Sequence, residues 1–78
     1  MKIQEAYDRL ESFRGLHADW DSYGAKPIST KALSKAFDLL ALLRDGWTPV
    51  PCSDGSVQLE RHEDGVDIEI LISEAELS

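Results

Sequence analysis

Asp64-Gly65 divides two runs of alternating apolar and polar residues, 57–63 and 66–72. A two-residue hairpin turn needs positive φ at both central positions, which Gly takes freely and Asp tolerates. Such a turn fixes the pairing of the strands it joins. Leu59 then faces Ile70, Val57 faces Ile72 and Arg61 faces Ile68. One face collects Val57, Leu59, Ile68, Ile70 and Ile72, ready to pack on helices. A loop longer by one residue sets Leu59 against Glu69 and mixes the faces, so patterning and turn chemistry select the same register. On the opposite face Glu60 stands across from Glu69, and His62 across from Asp67. Like charges facing each other across a strand pair are destabilising. Glu63 and Asp64 add acid at the turn, and alternation sends the nearest base, Arg61, to the apolar side. Glu60, Glu63, Asp64, Asp67 and Glu69 are therefore the candidate partner-binding residues.

The first half of the chain has the period of helices. Ile3, Ala6, Tyr7, Leu10 and Phe13 recur at three- and four-residue steps, giving an amphipathic helix over 2–14. Glu5 and Arg9 are spaced for an ion pair along it. Gly15 is placed for a left-handed cap, with Leu16 as its apolar contact. A second helix is expected over 29–45. Ser29 is its N-cap, and Ile28 precedes it to staple onto Leu33. Ala32, Leu33, Ala36, Phe37, Leu40 and Leu43 form its stripe. Leu39 and Leu42 widen that stripe enough for cover on two sides, and Gly46 is the expected C-terminal cap. The fold class is α+β, with two helices packed on one face of a C-terminal antiparallel β-hairpin.

Between the helices lies Trp20-Asp21-Ser22-Tyr23-Gly24-Ala25-Lys26-Pro27-Ile28. Trp20 and Tyr23 supply large apolar area with a polar tip. Gly24 permits a bend, and Pro27 keeps the residues before it extended. We read the stretch as a structured plug closing the core, with Trp20, Tyr23, Gly24 and Pro27 as structural residues and Trp20 largely buried. Asp19-x-Asp21-x-x-Gly24 resembles the start of a calcium loop, but the twelfth position is Thr30 where a bidentate Glu belongs. Asp21 is better placed as an Asx-turn former. Residues 47–51 carry Pro49 and Pro51, which exclude a central strand and leave an edge or polyproline-like path. A hairpin alone leaves two open edges. Either this segment covers one of them or a homodimer pairs the other.

Seventy-eight residues fit a single domain, 1–78. Cys52 is the one cysteine and forms no internal disulfide, which suits a reducing cytoplasm. The longest apolar run, 39–43, is far short of a bilayer span, and no signal peptide is apparent. The net charge of −7 is unevenly placed. Residues 1–46 hold seven Lys/Arg and seven Asp/Glu, whereas residues 47–78 hold Arg61 against eight acids, including Glu74 and Glu76. Such a field repels nucleic acid and anionic membranes and attracts basic surfaces. Acidic residues also confer plain solubility.

Catalysis is not expected. There is no Gly-rich phosphate loop, nucleophile elbow or cofactor motif, and no metal cluster. Cys52 with His17 or His62 lacks any feature that lowers a thiol pKa. The segments Trp20-Asp21-Ser22-Tyr23-Gly24-Ala25 with Pro27-Ile28, then 54–60, then Asp67-Ile68-Glu69-Ile70, resemble a set of small bacterial, phage and mobile-element proteins. Their pattern is close to W-D-G-Y-G-A-x-P-I followed by a Leu-Glu strand and a Leu-Glu-Ile-Glu strand. This chain departs from it at Ser22, where Gly is usual, and at Arg61, where Trp is usual. The resemblance covers residues 16–72 and implies a shared fold and a setting of phage–host conflict, with no assigned activity. Small acidic phage-type proteins, many anti-CRISPR proteins among them, occupy basic nucleic-acid channels of larger effectors. The leading expectation is accordingly a non-catalytic inhibitor whose carboxylates stand in for phosphates, with no cofactor. The alternative is an antitoxin or accessory subunit binding one partner through an apolar or edge-strand surface.

Overall fold

The computed structural model describes residues 1–74. Helix α1 spans Ile3–Ser12 and runs into a 3-10 turn at Phe13–Gly15. Ala6, Leu10 and Phe13 are buried, as the helical stripe requires. Gly15 is not a left-handed cap. The chain exits through the 3-10 turn, with the Leu16 N–H on the Phe13 carbonyl at 3.1 Å, so no positive φ is needed. In place of the expected pair with Glu5, Arg9 Nε donates to the Pro49 carbonyl at 2.6 Å, and its guanidinium lies over the Phe13 ring. Glu5 accepts the Lys2 N–H at 3.3 Å.

Helix α2 spans Thr30–Leu43, with the Ser29 hydroxyl accepting the Ala32 N–H at 3.2 Å. It buries Ala32, Leu33, Ala36 and Leu40. The first positive φ at its end falls on Arg44 (φ 69), two residues before Gly46 (φ 101), and the Arg44 N–H returns to the Leu40 carbonyl at 2.9 Å. Asp45 and Gly46 are held elsewhere. Asp45 accepts the Ile3 N–H at 2.8 Å, and Gly46 donates to the Met1 carbonyl at 2.8 Å. α2 packs against both α1 and the sheet, with Leu39 partly buried on the core, whereas Leu42 is 79% exposed and adds nothing to the stripe.

The strands are β1 (Thr48–Pro51), β2 (Val57–Glu63) and β3 (Val66–Ile72), antiparallel and in that order. The sheet therefore has three strands where a hairpin was expected. The third comes from the Pro-containing segment, with Pro49 beside Leu59 and Pro51 beside Val57. A strand residue directs its N–H and C=O to one side. Since the Pro49 carbonyl is taken by Arg9, the missing N–H of that residue faces outward, where no ladder bond is lost. The β2/β3 register is the expected one, from Val57 opposite Ile72 to Glu63 opposite Val66. Asp64 (φ 52) and Gly65 (φ 76) make the turn.

The core joins α1 and α2 to the inner sheet face through Trp47, Pro49, Val57, Leu59 and Ile72. Ile70 is half-buried and Ile68 is 44% exposed, so the hairpin tip projects past the helices. Arg61 points to this inner side, its guanidinium 5.9 Å from the Trp47 ring centroid.

The loop before α2 is built on its own carboxylates. Asp21 accepts the Tyr23 and Ala25 N–H groups at 2.8 and 3.1 Å, and Asp19 accepts that of Gly24 at 2.7 Å. Gly24 (φ 83) supplies the bend. The plug is made by Ala25 and Ile28, both buried, and not by two aromatics. Tyr23 is 91% exposed because the Asx turns carry the loop tip outward. Trp20 is partly buried, packed at the margin of the core, with its indole N–H on the Lys26 carbonyl at 2.8 Å. The loop docks on the 53–56 turn through Lys26 N–H to the Ser53 carbonyl and Ser29 N–H to the Gly55 carbonyl, 2.8 and 2.9 Å.

Candidate functional site

Side chains alternate across a strand, so the register defines the outer sheet face. It carries Thr48 and Val50 of β1, Gln58, Glu60 and His62 of β2, and Asp67, Glu69 and Leu71 of β3. Glu60 and Glu69 are direct cross-strand neighbours, as are His62 and Asp67. Of the five candidate partner-binding residues, Glu60, Asp67 and Glu69 share this face. Glu63 does not: it lies on the inner side, where Arg61 Nε donates to its carboxylate at 2.8 Å. Asp64 occupies the turn.

His62 relieves the strip that its neighbours create. Its Nδ1 is 2.7 Å from an Asp67 carboxylate oxygen and its Nε2 3.5 Å from Glu60. The bond to Asp67, and secondarily that to Glu60, raises the imidazole pKa above its ordinary value. Glu60 also accepts from the Gln58 amide at 2.8 Å. Its side chain is 25% exposed, against 72% for Asp67. Among the described residues Glu69 has no hydrogen-bond or ionic partner. Arg61 is thus not the base that matters here. The facing of His62 and Asp67 was legible in the register, and its meaning as partial neutralisation follows from the distances.

The arrangement suits electrostatic recognition. Asp67 and Glu69 are exposed on this face, with Glu60 half-buried beside them, and so can meet a cationic surface. Three acids outside the strip, Asp19, Asp21 and Asp54, are engaged locally. Asp19 and Asp21 hold backbone N–H groups. Asp54 accepts the Ser56 hydroxyl and N–H, which lowers its pKa. Among the described residues no group of three or more His, Cys, Asp or Glu side chains is arranged to hold a metal ion. Nor is any helix among them long and apolar enough to cross a membrane. No protein-family model, curated protein or solved structure matches this chain.

Proposed function

We propose that the chain is a small non-catalytic inhibitor that binds a larger effector and blocks its basic nucleic-acid-binding surface. The carboxylates of Glu60, Asp67 and Glu69 take the place of phosphates on that surface, as in anti-CRISPR-type proteins of phages and mobile elements. The supporting observation is the outer sheet face, on which three carboxylates are neighbours and His62 is the sole strand residue able to take up positive charge. Glu69 is central, because it faces Glu60 and lacks a counter-charge among the described residues. A cationic partner relieves a repulsion that the free protein carries. Charge complementarity of this kind chiefly speeds association and sharpens specificity.

The test is capture from a lysate of the native host on immobilised protein, with elution by nucleic acid and by salt. The expected result is a captured protein that DNA or RNA displaces and that added salt releases. Capture should fall when both Glu60→Gln and Glu69→Gln are introduced. A captured protein that neither nucleic acid nor salt displaces, and that the double variant retains equally, would overturn the proposal.

A further inference from the structure

The two edges of the sheet differ in kind. β1 is four residues long, carries two prolines, and has Arg9 seated on the Pro49 carbonyl. Prolines and charged side chains are common devices that close an edge to further pairing. β3 is seven residues long, without proline, and is the last strand in the sheet order.

The register sets which groups β3 offers. A two-residue turn is closed by a hydrogen-bonded pair, here Glu63 with Val66. Alternation then makes Leu59–Ile70 another bonded pair and turns the N–H and C=O groups of Asp67, Glu69 and Leu71 away from β2. The opposite edge gives the same phase independently. Pro49 faces out toward Arg9, so its partner Leu59 is directed at β3. Among the described residues this edge is unpaired, and it presents the backbone of three residues that are all exposed, two of them with carboxylate side chains. Below this edge, on the inner face, Val66 and Ile68 are exposed beyond the reach of the helices.

We infer that the β3 edge takes an extended segment of another protein as a fourth strand, with basic and apolar residues alternating along that segment. Its main chain bonds to Asp67, Glu69 and Leu71. Its basic side chains lie on the outer face beside Asp67 and Glu69, and its apolar ones cover Val66 and Ile68. Strand addition of this type takes affinity from the main chain and specificity from alternate side chains. The charge of the edge argues against a second copy. Antiparallel β3–β3 pairing joins the two outer faces into one, doubling its carboxylates and adding no base beyond a second His62. Centred on Ile68 or Glu69, it also sets acid directly opposite acid. The choice of basic residues rests on the proposed role of the outer face; the choice of a strand rests on the backbone alone.

The probe is a short, end-blocked peptide of alternating valine and lysine, titrated into the intact protein while backbone amide resonances and their hydrogen exchange are followed. Slowed exchange at Asp67, Glu69 and Leu71 is expected, with β1 amides unchanged. Methylating alternate peptide nitrogens on the bonding side should weaken binding by about tenfold or more, since ladder bonds to the edge are lost. A valine–glutamate peptide should not bind. Equal binding of the methylated peptide, with exchange at the three amides unchanged, overturns strand addition and leaves the carboxylate face as a separate question. Equal binding of the glutamate peptide with protection at the same amides overturns the basic chemistry of the occupant and counts against the proposed function too. Protection of these amides without peptide, accompanied by a sedimenting dimer, assigns the edge to a second copy and overturns the inference.

Discussion

The Asp45 carboxylate accepts the Ile3 N–H at 2.8 Å and so caps a helix that begins 42 residues earlier. Helix N-termini leave backbone donors without intrahelical partners, and an acidic group there also meets the positive end of the helix dipole. Asp45→Ala should lower stability by about 0.5–2 kcal/mol, the range for losing a cap. Asp45→Asn should retain most of it. Urea unfolding midpoints of the two variants check this, and equal loss in both would point to charge instead of the hydrogen bond.

The two tryptophans separate core from margin. Trp47 is buried beneath Arg61, whereas Trp20 is half-exposed and held by its bond to the Lys26 carbonyl. Trp47→Ala should cost about 3–5 kcal/mol, as for other buried aromatics, and Trp20→Ala clearly less. Tyr23→Ala should stay within about 0.5 kcal/mol. Thermal melts of the three variants would reverse this order if Trp20 and Tyr23 were the true plug of the core.

What was legible in the sequence was what local grammar determines. Asp64-Gly65 and the two-residue alternation around it gave the register, because any slip moves Leu59 and Ile70 to the wrong face. Ser29 and the Ala32–Leu40 stripe gave α2. The departures arise where distant residues meet. Arg9 leaves its helical neighbour Glu5 for the Pro49 carbonyl, and Asp45 leaves the end of α2 to cap α1. Tyr23 counted as core by its area, but Asp21 turns its backbone outward. At the candidate site, alternation separated Glu63 from Glu60 and Glu69, a distinction that summed charge does not make.

Gly55 marks the closest approach of the two loops. Its φ is +90, and a Cβ there would stand 2.9 Å from the Pro27 carbonyl oxygen, a backbone atom. Gly55→Ala should therefore destabilise by more than the ~1 kcal/mol typical of simple left-handed strain. Calorimetry would measure it. Parent-like stability would show that the two loops separate easily.

His62 makes stability depend on pH in a definite direction. Asp67 and Glu60 raise its pKa in the folded protein above the ordinary 6.5. The folded state thus binds the proton more tightly, and the stabilisation is fully present below the unfolded pKa. It fades as pH rises through the folded value. The melting temperature of the parent relative to His62→Gln should fall across that interval, starting near pH 6.5. A difference that stays flat from acid to alkaline pH would show that the imidazole contacts do not survive in solution.

Glu69 allows stability and recognition to be separated. It faces Glu60 across the strand pair, with no counter-charge among the described residues, while Glu60 is already bonded to Gln58 and His62. Neutralising Glu69 removes a repulsion and breaks no bond, so Glu69→Gln should raise stability by a few tenths to about 1 kcal/mol. Glu60→Gln should gain less, since it weakens the contact with His62. Binding to a cationic partner should move the other way, with a slower on-rate and a shallower dependence on salt. A structural role alone does not predict these opposite signs. The deciding measurement pairs a denaturation curve of Glu69→Gln with its association rate for the captured partner at two ionic strengths. A more stable variant that associates as fast as the parent at both would reduce the strip to a solubility face.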